Sequence, residues 1–188
     1  MRLTTIIFCA LVSTTAFAQD LDALRLDTQQ KVLPVLPKVV GMMQETVAAQ
    51  GVTAAIPVCK VKAPQLLQEQ ADKTGWSIRR VSLKTRNPER GTPDAWEVHQ
   101  LADFNIRAAN GEKIETLEHG EVISENGRQT YRYIRAIPVG PVCLRCHGAT
   151  ESIEPGLRAE LNKTYPQDRA TGYAVGQVRG ALTVKRPL

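Results

Sequence analysis

Residues 126–148 read NGRQTYRYIRAIPVGPVCLRCHG, and the rest of the chain can be interpreted outward from them. Asn126-Gly127 predicts a tight hairpin turn, because these residue types tolerate the positive φ angles that such turns require. Residues 129–137 form the clearest strand pattern, which Pro138 and Pro141 end. Two cysteines and a histidine follow at once, so a strand is predicted to lead directly into a candidate site.

Before the hairpin, apolar residues recur at helical spacing. Residues 21–50 predict a helix that Pro34 and Pro37 must bend or break, and 64–74 and 93–109 predict two more helices. Helices followed by neighbouring strands with short turns predict an α+β fold, with the hairpin in the middle of an antiparallel sheet. The remaining strand candidates are 76–84, 113–117, 121–124 and 175–185.

Length and charge narrow the class of protein. The chain has 188 residues and a net charge of +5, which suits one domain with a buried core. The basic excess is spread along the chain without a basic run interleaved with aromatics, which argues against nucleic-acid binding. Carboxylates are scattered, and the sequence has no phosphate-binding loop or nucleophile–base pair at a telling spacing, so we predict no enzymatic activity.

The N-terminal residues have the pattern of a secretory signal peptide. Arg2 supplies the positive charge, and residues 3–12 form a short apolar run. Ala16 and Ala18 are the small residues expected before a cleavage site, so we predict cleavage after Ala18.

Removal of residues 1–18 would leave one exported domain, 19–188, which we expect in the periplasm. No later segment is long and apolar enough to span a bilayer, so the mature domain is expected to be soluble. Cleavage also removes Cys9 and leaves three cysteines, an odd number that requires an explanation in an exported protein.

Cys143-Leu144-Arg145-Cys146-His147 is the attachment pattern of c-type haem. Two thiols at this spacing reach the two vinyl groups on one porphyrin edge, and the next residue brings an imidazole beneath the iron. The sequence therefore predicts one covalent haem, attached through Cys143 and Cys146 and ligated by His147. A redox-active dithiol and a zinc site are the alternatives, and zinc would need Cys59 and His147 as further ligands.

Five residues are candidates for the ligand on the opposite face of the haem. Met42 and Met43 fit the apolar stripe of the first predicted helix, where core packing is the default role. His99 lies on the third predicted helix and His119 precedes a glycine in a predicted turn, so structural or surface roles are the simpler interpretation of both. Cys59 is the fifth candidate.

Cys59 is unpaired once the haem takes the other two thiols. It follows the apolar residues Ile56-Pro57-Val58, just before a predicted helix. A helix N-terminus and the nearby Lys60 and Lys62 would lower a thiol pKa and favour the thiolate. From this chemistry alone, an inert buried cysteine is an equally good interpretation.

Several stretches are specific when they are taken together. They are Ala55-Ile56-Pro57-Val58-Cys59, Arg80-Val81-Ser82-Leu83-Lys84 with Arg86-Asn87-Pro88, Pro93-Asp94-Ala95-Trp96-Glu97, Cys143-Leu144-Arg145-Cys146-His147-Gly148, and Asp168-Arg169-Ala170-Thr171-Gly172-Tyr173 with Arg179-Gly180-Ala181. Through them the chain resembles the exported PAS-like c-type haem proteins, and the resemblance covers nearly all of residues 19–188.

This resemblance implies a PAS-like fold and a haem iron held by His147 and Cys59. Related domains serve as extracytoplasmic sensors on some membrane signalling proteins. A thiolate ligand stabilises ferric iron and should lower its reduction potential. Reduction would weaken that bond, and the cysteine would then protonate or leave, which would open a site for a diatomic gas.

Two functions are the main candidates at this level. A redox or gas sensor of this length would need a separate periplasmic signalling or redox partner. A low-potential electron-transfer cytochrome c needs only an exposed haem edge and a stable six-coordinate iron. An enzyme acting on haem-bound substrates is a third class.

Four arginines are candidates to pair with the haem propionates, namely Arg86, Arg90, Arg132 and Arg135.

Overall fold

In a computed structural model that describes residues 13–125 and 127–188, the chain combines helices with one antiparallel sheet. The helices are α1 (Ser13–Val32), α2 (Val35–Gln50), α3 (Ala63–Thr74), α4 (Pro88–Gly91), α5 (Ala95–Ala109), α6 (Leu144–His147) and α7 (Pro155–Thr164). The strands are β1 (Ser77–Val81), β2 (Glu118–Glu125), β3 (Arg128–Pro138) and β4 (Val178–Pro187). The four strands are ordered β1-β4-β3-β2, and the predicted α+β class is confirmed.

Proline breaks the first predicted helix as the sequence indicates. Pro34 lies between the end of α1 and the start of α2, and Pro37 falls in the first turn of α2, where a missing N–H costs little. Val32, Val35 and Val39 are buried, so both helices turn an apolar face towards the sheet.

The predicted strand at 113–117 is wrong, because this segment forms the 3-10 turn Ile114–Thr116. Ile114 and Leu117 are both buried. Residues three apart lie on the same side of a 3-10 turn, whereas a strand would point them to opposite faces. Burying both side chains in one core therefore favours the turn, and β2 begins only at Glu118.

β2 and β3 form the predicted hairpin, with Glu125 opposite Arg128. Gly127 in its turn has φ 75°, the left-handed conformation expected there, while Asn126 lies outside the described residues. The expectation that this hairpin occupies the middle of the sheet is wrong. β4 lies between β1 and β3, which leaves β2 at the edge.

β3 contributes to a separate core on each face of the sheet. Tyr131 and Tyr133 pack with residues of α1, α2 and α3 on one face. Ile134 and Ala136 pack on the other face with residues of α5, including Phe104. Because successive side chains of a strand point to opposite faces, a strand covered on both sides is buried almost continuously.

The predicted signal peptide falls mainly on residues 1–12, which lie outside the described residues together with Cys9. The predicted cleavage site after Ala18 lies within the residues of α1. Across the ranges that the structure describes, no helix is long and apolar enough to cross a bilayer.

One carboxylate joins α1 to the hairpin. Glu118 accepts hydrogen bonds from Gln29 at 2.8 Å, from the Tyr133 hydroxyl at 2.6 Å and from Arg135 at 2.7 Å, with Arg25 at 3.3 Å. Burial alone would raise the pKa of Glu118, but these hydrogen bonds outweigh it and hold the pKa below its ordinary value of 4.5. The interaction therefore stabilises the fold above that pH and is lost as the pH falls through the lowered pKa.

Glu118→Gln is expected to reduce the free energy of unfolding at neutral pH by about 2 kcal/mol, because charge-assisted hydrogen bonds become neutral ones. The variant should also lose less stability than the wild type when the pH is lowered below 4.5, since it lacks the titrating carboxylate. Urea unfolding followed by circular dichroism at neutral and acidic pH measures both effects.

Glu115→Gln is the matched control, because Glu115 is exposed on the adjacent turn. It should change the free energy of unfolding by less than about 0.5 kcal/mol. Equal losses in the two variants would contradict the role given to Glu118.

Candidate functional site

Residues 143–148 carry the predicted haem attachment pattern and are here called the attachment segment, which starts close to the point where β3 ends. A 3-10 turn, Pro141–Cys143, runs directly into α6, so Cys143, Cys146 and His147 lie on consecutive helical turns. Residues three apart on such turns share a face, which directs both thiols to the same side. Both cysteines are free and partly exposed. This arrangement has the donor set and the accessibility that attachment to one porphyrin edge requires.

A loop of residues 165–173, here called the return loop, lies against α6. Tyr173 donates its backbone N–H to the His147 carbonyl at 2.9 Å, and Gly172 donates to the Gly148 carbonyl at 2.7 Å. The side chain of His147 also bonds to this loop, with Nδ1 2.6 Å from the Ala170 carbonyl oxygen. The return loop therefore holds both the backbone and the imidazole of His147.

The environment of His147 keeps its imidazole neutral. Burial lowers its pKa well below the ordinary value, and the positive charges of Arg179, Arg86 and Arg80 lower it further. Because a carbonyl oxygen only accepts hydrogen bonds, Nδ1 must carry the proton and Nε2 must carry the lone pair. Nε2 is thus in the state that binds a metal, and here it accepts a long hydrogen bond from Nε of Arg179 at 3.5 Å, which a metal on Nε2 would replace.

Cys59 lies on a π-helical turn, Val58–Lys62, that continues directly into α3. Its side chain is exposed, so the interpretation as an inert buried cysteine is wrong. The neighbouring Ile56 and Val58 are buried and anchor the turn, which leaves the thiol on its outer side. Single π-helical turns within helices are frequently found at functional sites.

The structure brings Cys59 close to the attachment segment. Cys146 packs against an apolar cluster that includes Ile56 and Tyr165. Burial raises the pKa of the Cys146 thiol, and the charge of Cys59 adds to the increase while Arg86 opposes it. The charge of Cys59 also contributes to a raised pKa of Tyr165. Cys59 and Cys146 therefore lie near the same cluster, although they are far apart in sequence.

The other four candidate ligands lie in different surroundings. Met42 and Met43 are half-buried on α2, and His99 is exposed on α5. The prediction that His119 occupies a turn is wrong, because it lies within β2, the edge strand. Its ring contacts are with the Trp96 ring, at a centroid distance of 6.0 Å, and with Glu121 at 3.3 Å.

Three of the four arginines proposed for propionates already have carboxylate partners. Arg132 pairs with Asp94 at 2.8 Å, and Arg135 pairs with Glu118. Arg86 pairs with Asp168 at 3.0 Å, beside the attachment segment. The fourth, Arg90, donates to the Lys60 carbonyl at 3.3 Å and so contacts the turn that carries Cys59.

Arg179 is a residue of the site that the residue-level reasoning missed. It donates to the Ser82 hydroxyl at 3.0 Å and to the Lys84 carbonyl at 3.2 Å, and it lies 5.3 Å from the Tyr173 ring centroid. Burial lowers its pKa to about 10. Within the part of the chain that the structure describes, Arg179 has no carboxylate partner. The stretch Arg179-Gly180-Ala181 was a signal of resemblance, but only the fold places its first residue beside His147.

An apolar cavity lies between α2, α3 and the sheet. Among the described residues that line it, Arg80 is the one that carries a charge. Its lining residues are Val35, Leu36, Val39, Val40, Ala63, Leu67, Arg80 and Ile137.

Two observations bear on the alternatives to haem. No group of three or more His, Cys, Asp or Glu side chains within 13–125 and 127–188 is arranged to hold a metal ion. Cys59, Cys143 and Cys146 are all free thiols, the state in which Cys143 and Cys146 could react with haem or form a reduced dithiol.

Comparisons with known proteins give two matches. The family described as Tll0287-like matches residues 10–187. The crystal structure of the cyanobacterial heme-protein Tll0287 matches with a TM-score of 0.65 and 27% sequence identity, over 86% of this chain and 95% of that chain. The family match spans Cys59, Cys143, Cys146 and His147, whereas no curated protein matches the chain.

Gly148→Ala is expected to destabilise the attachment segment. A Cβ at this position would lie 2.6 Å from the Leu144 carbonyl oxygen, to which Gly148 itself donates its N–H. Relieving that clash means moving the end of α6, which should cost about 1–3 kcal/mol in the free energy of unfolding. Gly140→Ala is the control, since a Cβ there meets nothing within 4 Å, and a similar loss in both variants would contradict the prediction.

Proposed function

The chain belongs to the Tll0287-like family, and from that membership we propose that it is a periplasmic c-type haem protein that senses redox state or a diatomic gas. In this proposal one haem is attached through Cys143 and Cys146, and its iron is held by His147 and Cys59. The protein has no catalytic role of its own. Haem, when bound, supplies a redox-active iron that also binds small diatomic ligands.

The residues of the attachment segment fit such a group. The two partly exposed thiols of α6 are free to form thioether bonds, and the neutral imidazole of His147 carries its lone pair on Nε2. The hydrogen bond from Nδ1 to Ala170 fixes the orientation of the ring, as outer-shell hydrogen bonds do for metal-ligating histidines. These are the states that covalent attachment and axial ligation require.

The arginines near His147 also fit the group. Arg179 is partly buried and has no carboxylate partner in the described residues, and burial together with the nearby Arg80 and Arg86 lowers its pKa. Withdrawing a cation from water in this way is unfavourable unless a negative charge compensates it. The two carboxylates of haem would supply that charge, so Arg179 replaces Arg132 and Arg135 as the proposed propionate partner.

The observation that carries the sensor proposal is the position of Cys59. Its thiol is exposed on a π-helical turn, next to the cluster against which Cys146 packs. A thiolate at this point would stabilise ferric iron, and it would be held less tightly after reduction. The turn could then release the cysteine, which converts a change of redox state into a change of shape.

A low-potential electron-transfer cytochrome c is the competing proposal. Arg145, between the two attachment cysteines, is exposed, which is consistent with contact between this side of α6 and a redox partner. An electron carrier would keep both axial ligands in both oxidation states. The two proposals therefore differ in whether reduction releases Cys59.

Covalent attachment is tested by expressing the full chain in bacterial cells that contain periplasmic haem-attachment machinery. The purified protein should gain the mass of one haem and keep it under denaturing electrophoresis, because thioether bonds survive denaturation. Cys143→Ala combined with Cys146→Ala should abolish the gain. A wild-type protein without bound haem mass would exclude the proposed function.

Cys59→Ser tests the second ligand. The variant should keep its covalent haem, lose the low-spin thiolate signature in ferric absorption and electron paramagnetic resonance spectra, and show a higher reduction potential. Axial ligands set haem potentials over about 0.8 V, so the rise should be readily measured by potentiometric titration. Loss of a strong anionic donor to ferric iron is the physical reason.

His99→Ala and His119→Ala are matched controls that should leave the ferric spectra unchanged. In reduced wild-type protein, carbon monoxide should bind by displacing Cys59, whereas an electron carrier would resist the exchange. An unchanged ferric spectrum in Cys59→Ser would eliminate the ligand assignment and with it the sensor proposal.

A further inference from the structure

A charged pair beside the attachment segment has no role in the proposal above. Arg86 and Asp168 form an ion pair at 3.0 Å, with side chains only 12% and 8% exposed. Taking two charges out of water is expensive unless the geometry is good and the remaining polar atoms are also hydrogen-bonded. Both conditions are met here, because each partner makes a further hydrogen bond to the backbone.

Arg86 bonds directly to the attachment segment. Its Nη2 donates to the carbonyl oxygen of Cys146, the residue that immediately precedes His147. This contact joins the end of α6 to the loop that follows β1. Arg90, on the short helix α4 that follows this loop, contacts the backbone of the Cys59 turn.

Asp168 reaches His147 through one residue of the return loop. Its Oδ1 accepts the backbone N–H of Ala170 at 2.8 Å, and the carbonyl oxygen of Ala170 accepts from Nδ1 of His147 at 2.6 Å. The carboxylate therefore fixes the residue that orients the imidazole. A negative charge at this distance also makes the histidine a stronger donor to a metal on Nε2.

We propose that Arg86 and Asp168 are the positioning pair of the haem site. They fix the position of α6 relative to the Ala170 carbonyl, and so set the orientation and donor strength of His147. Neither residue is a proposed ligand of the iron. The inference rests on the proposed function, since it assigns the pair a role in tuning a haem held by His147.

The two members of the pair should shift the reduction potential in opposite directions. Asp168→Asn removes a negative charge and leaves Arg86 uncompensated, so the potential should rise. Arg86→Gln leaves Asp168 uncompensated, so the potential should fall. The double variant should return near the wild-type potential, because both charges are gone.

A second readout, the shape of the ferric electron paramagnetic resonance signal, reports a loss of positioning that a change of charge alone would not produce. In both single variants and in the double variant, the ferric low-spin electron paramagnetic resonance signal should broaden or split, because His147 adopts more than one orientation. Arg86→Lys should keep the potential near wild type, since it retains the charge. It should still broaden the signal, since an ammonium lacks the planar fork that bonds Asp168 and the Cys146 carbonyl together.

The experiment uses holoprotein matured in the periplasm, with the covalent haem content of each variant measured by mass. Arg107→Gln is the control, because Arg107 forms exposed ion pairs on α5, and it should leave potential and signal unchanged. Wild-type protein without haem would overturn the proposed function. Wild-type haem with unchanged potentials and signals in the Arg86 and Asp168 variants would overturn only the positioning pair. Loss of haem from all these variants would also overturn it, because the pair would then serve folding.

Discussion

The antiparallel pairing of β3 with β4 is the constraint on which the site depends. The ladder continues past the strand ends, where Val139 donates to Gln177 at 2.8 Å and accepts from Gly176 at 3.0 Å. The chain that leaves β3 towards α6 must therefore run beside the chain that enters β4 from the return loop. His147 and Ala170 meet for this reason, and Arg179, the second residue of β4, lies next to the imidazole.

Charge is distributed differently in the two halves of the molecule. Around Glu118 several donors converge on one carboxylate, and the result is a fixed junction between α1 and the hairpin. Around His147 the cations predominate, with Arg86 paired to Asp168 and Arg179 partly buried without a carboxylate among the described residues. A fully compensated cluster suits a structural junction, whereas an excess of partly buried positive charge suits a site that receives an anionic group.

Much of the fold was predictable from residue patterns. The proline break between α1 and α2, the helices α3 and α5, and the strand β3 all follow from local periodicity and breakers. The conformation of segment 113–117 was not predictable, because apolar spacing does not show which core a short segment faces. The order of the strands was not predictable either, because apolar spacing does not show which strand lies between two others. Local pattern also placed Cys59 in an apolar segment but not on the outer side of a π-helical turn.

The sequence by itself determined the chemistry: the cysteine spacing and the adjacent histidine define a haem attachment pattern within one continuous segment. Only the tertiary structure decided what surrounds it. Cys59, Arg86, Asp168 and Arg179 come from separate stretches of the chain, and contacts between distant residues depend on strand order and loop path. Local propensities do not specify such contacts, because they act within one short segment, whereas the packing of the whole sheet sets which segments meet.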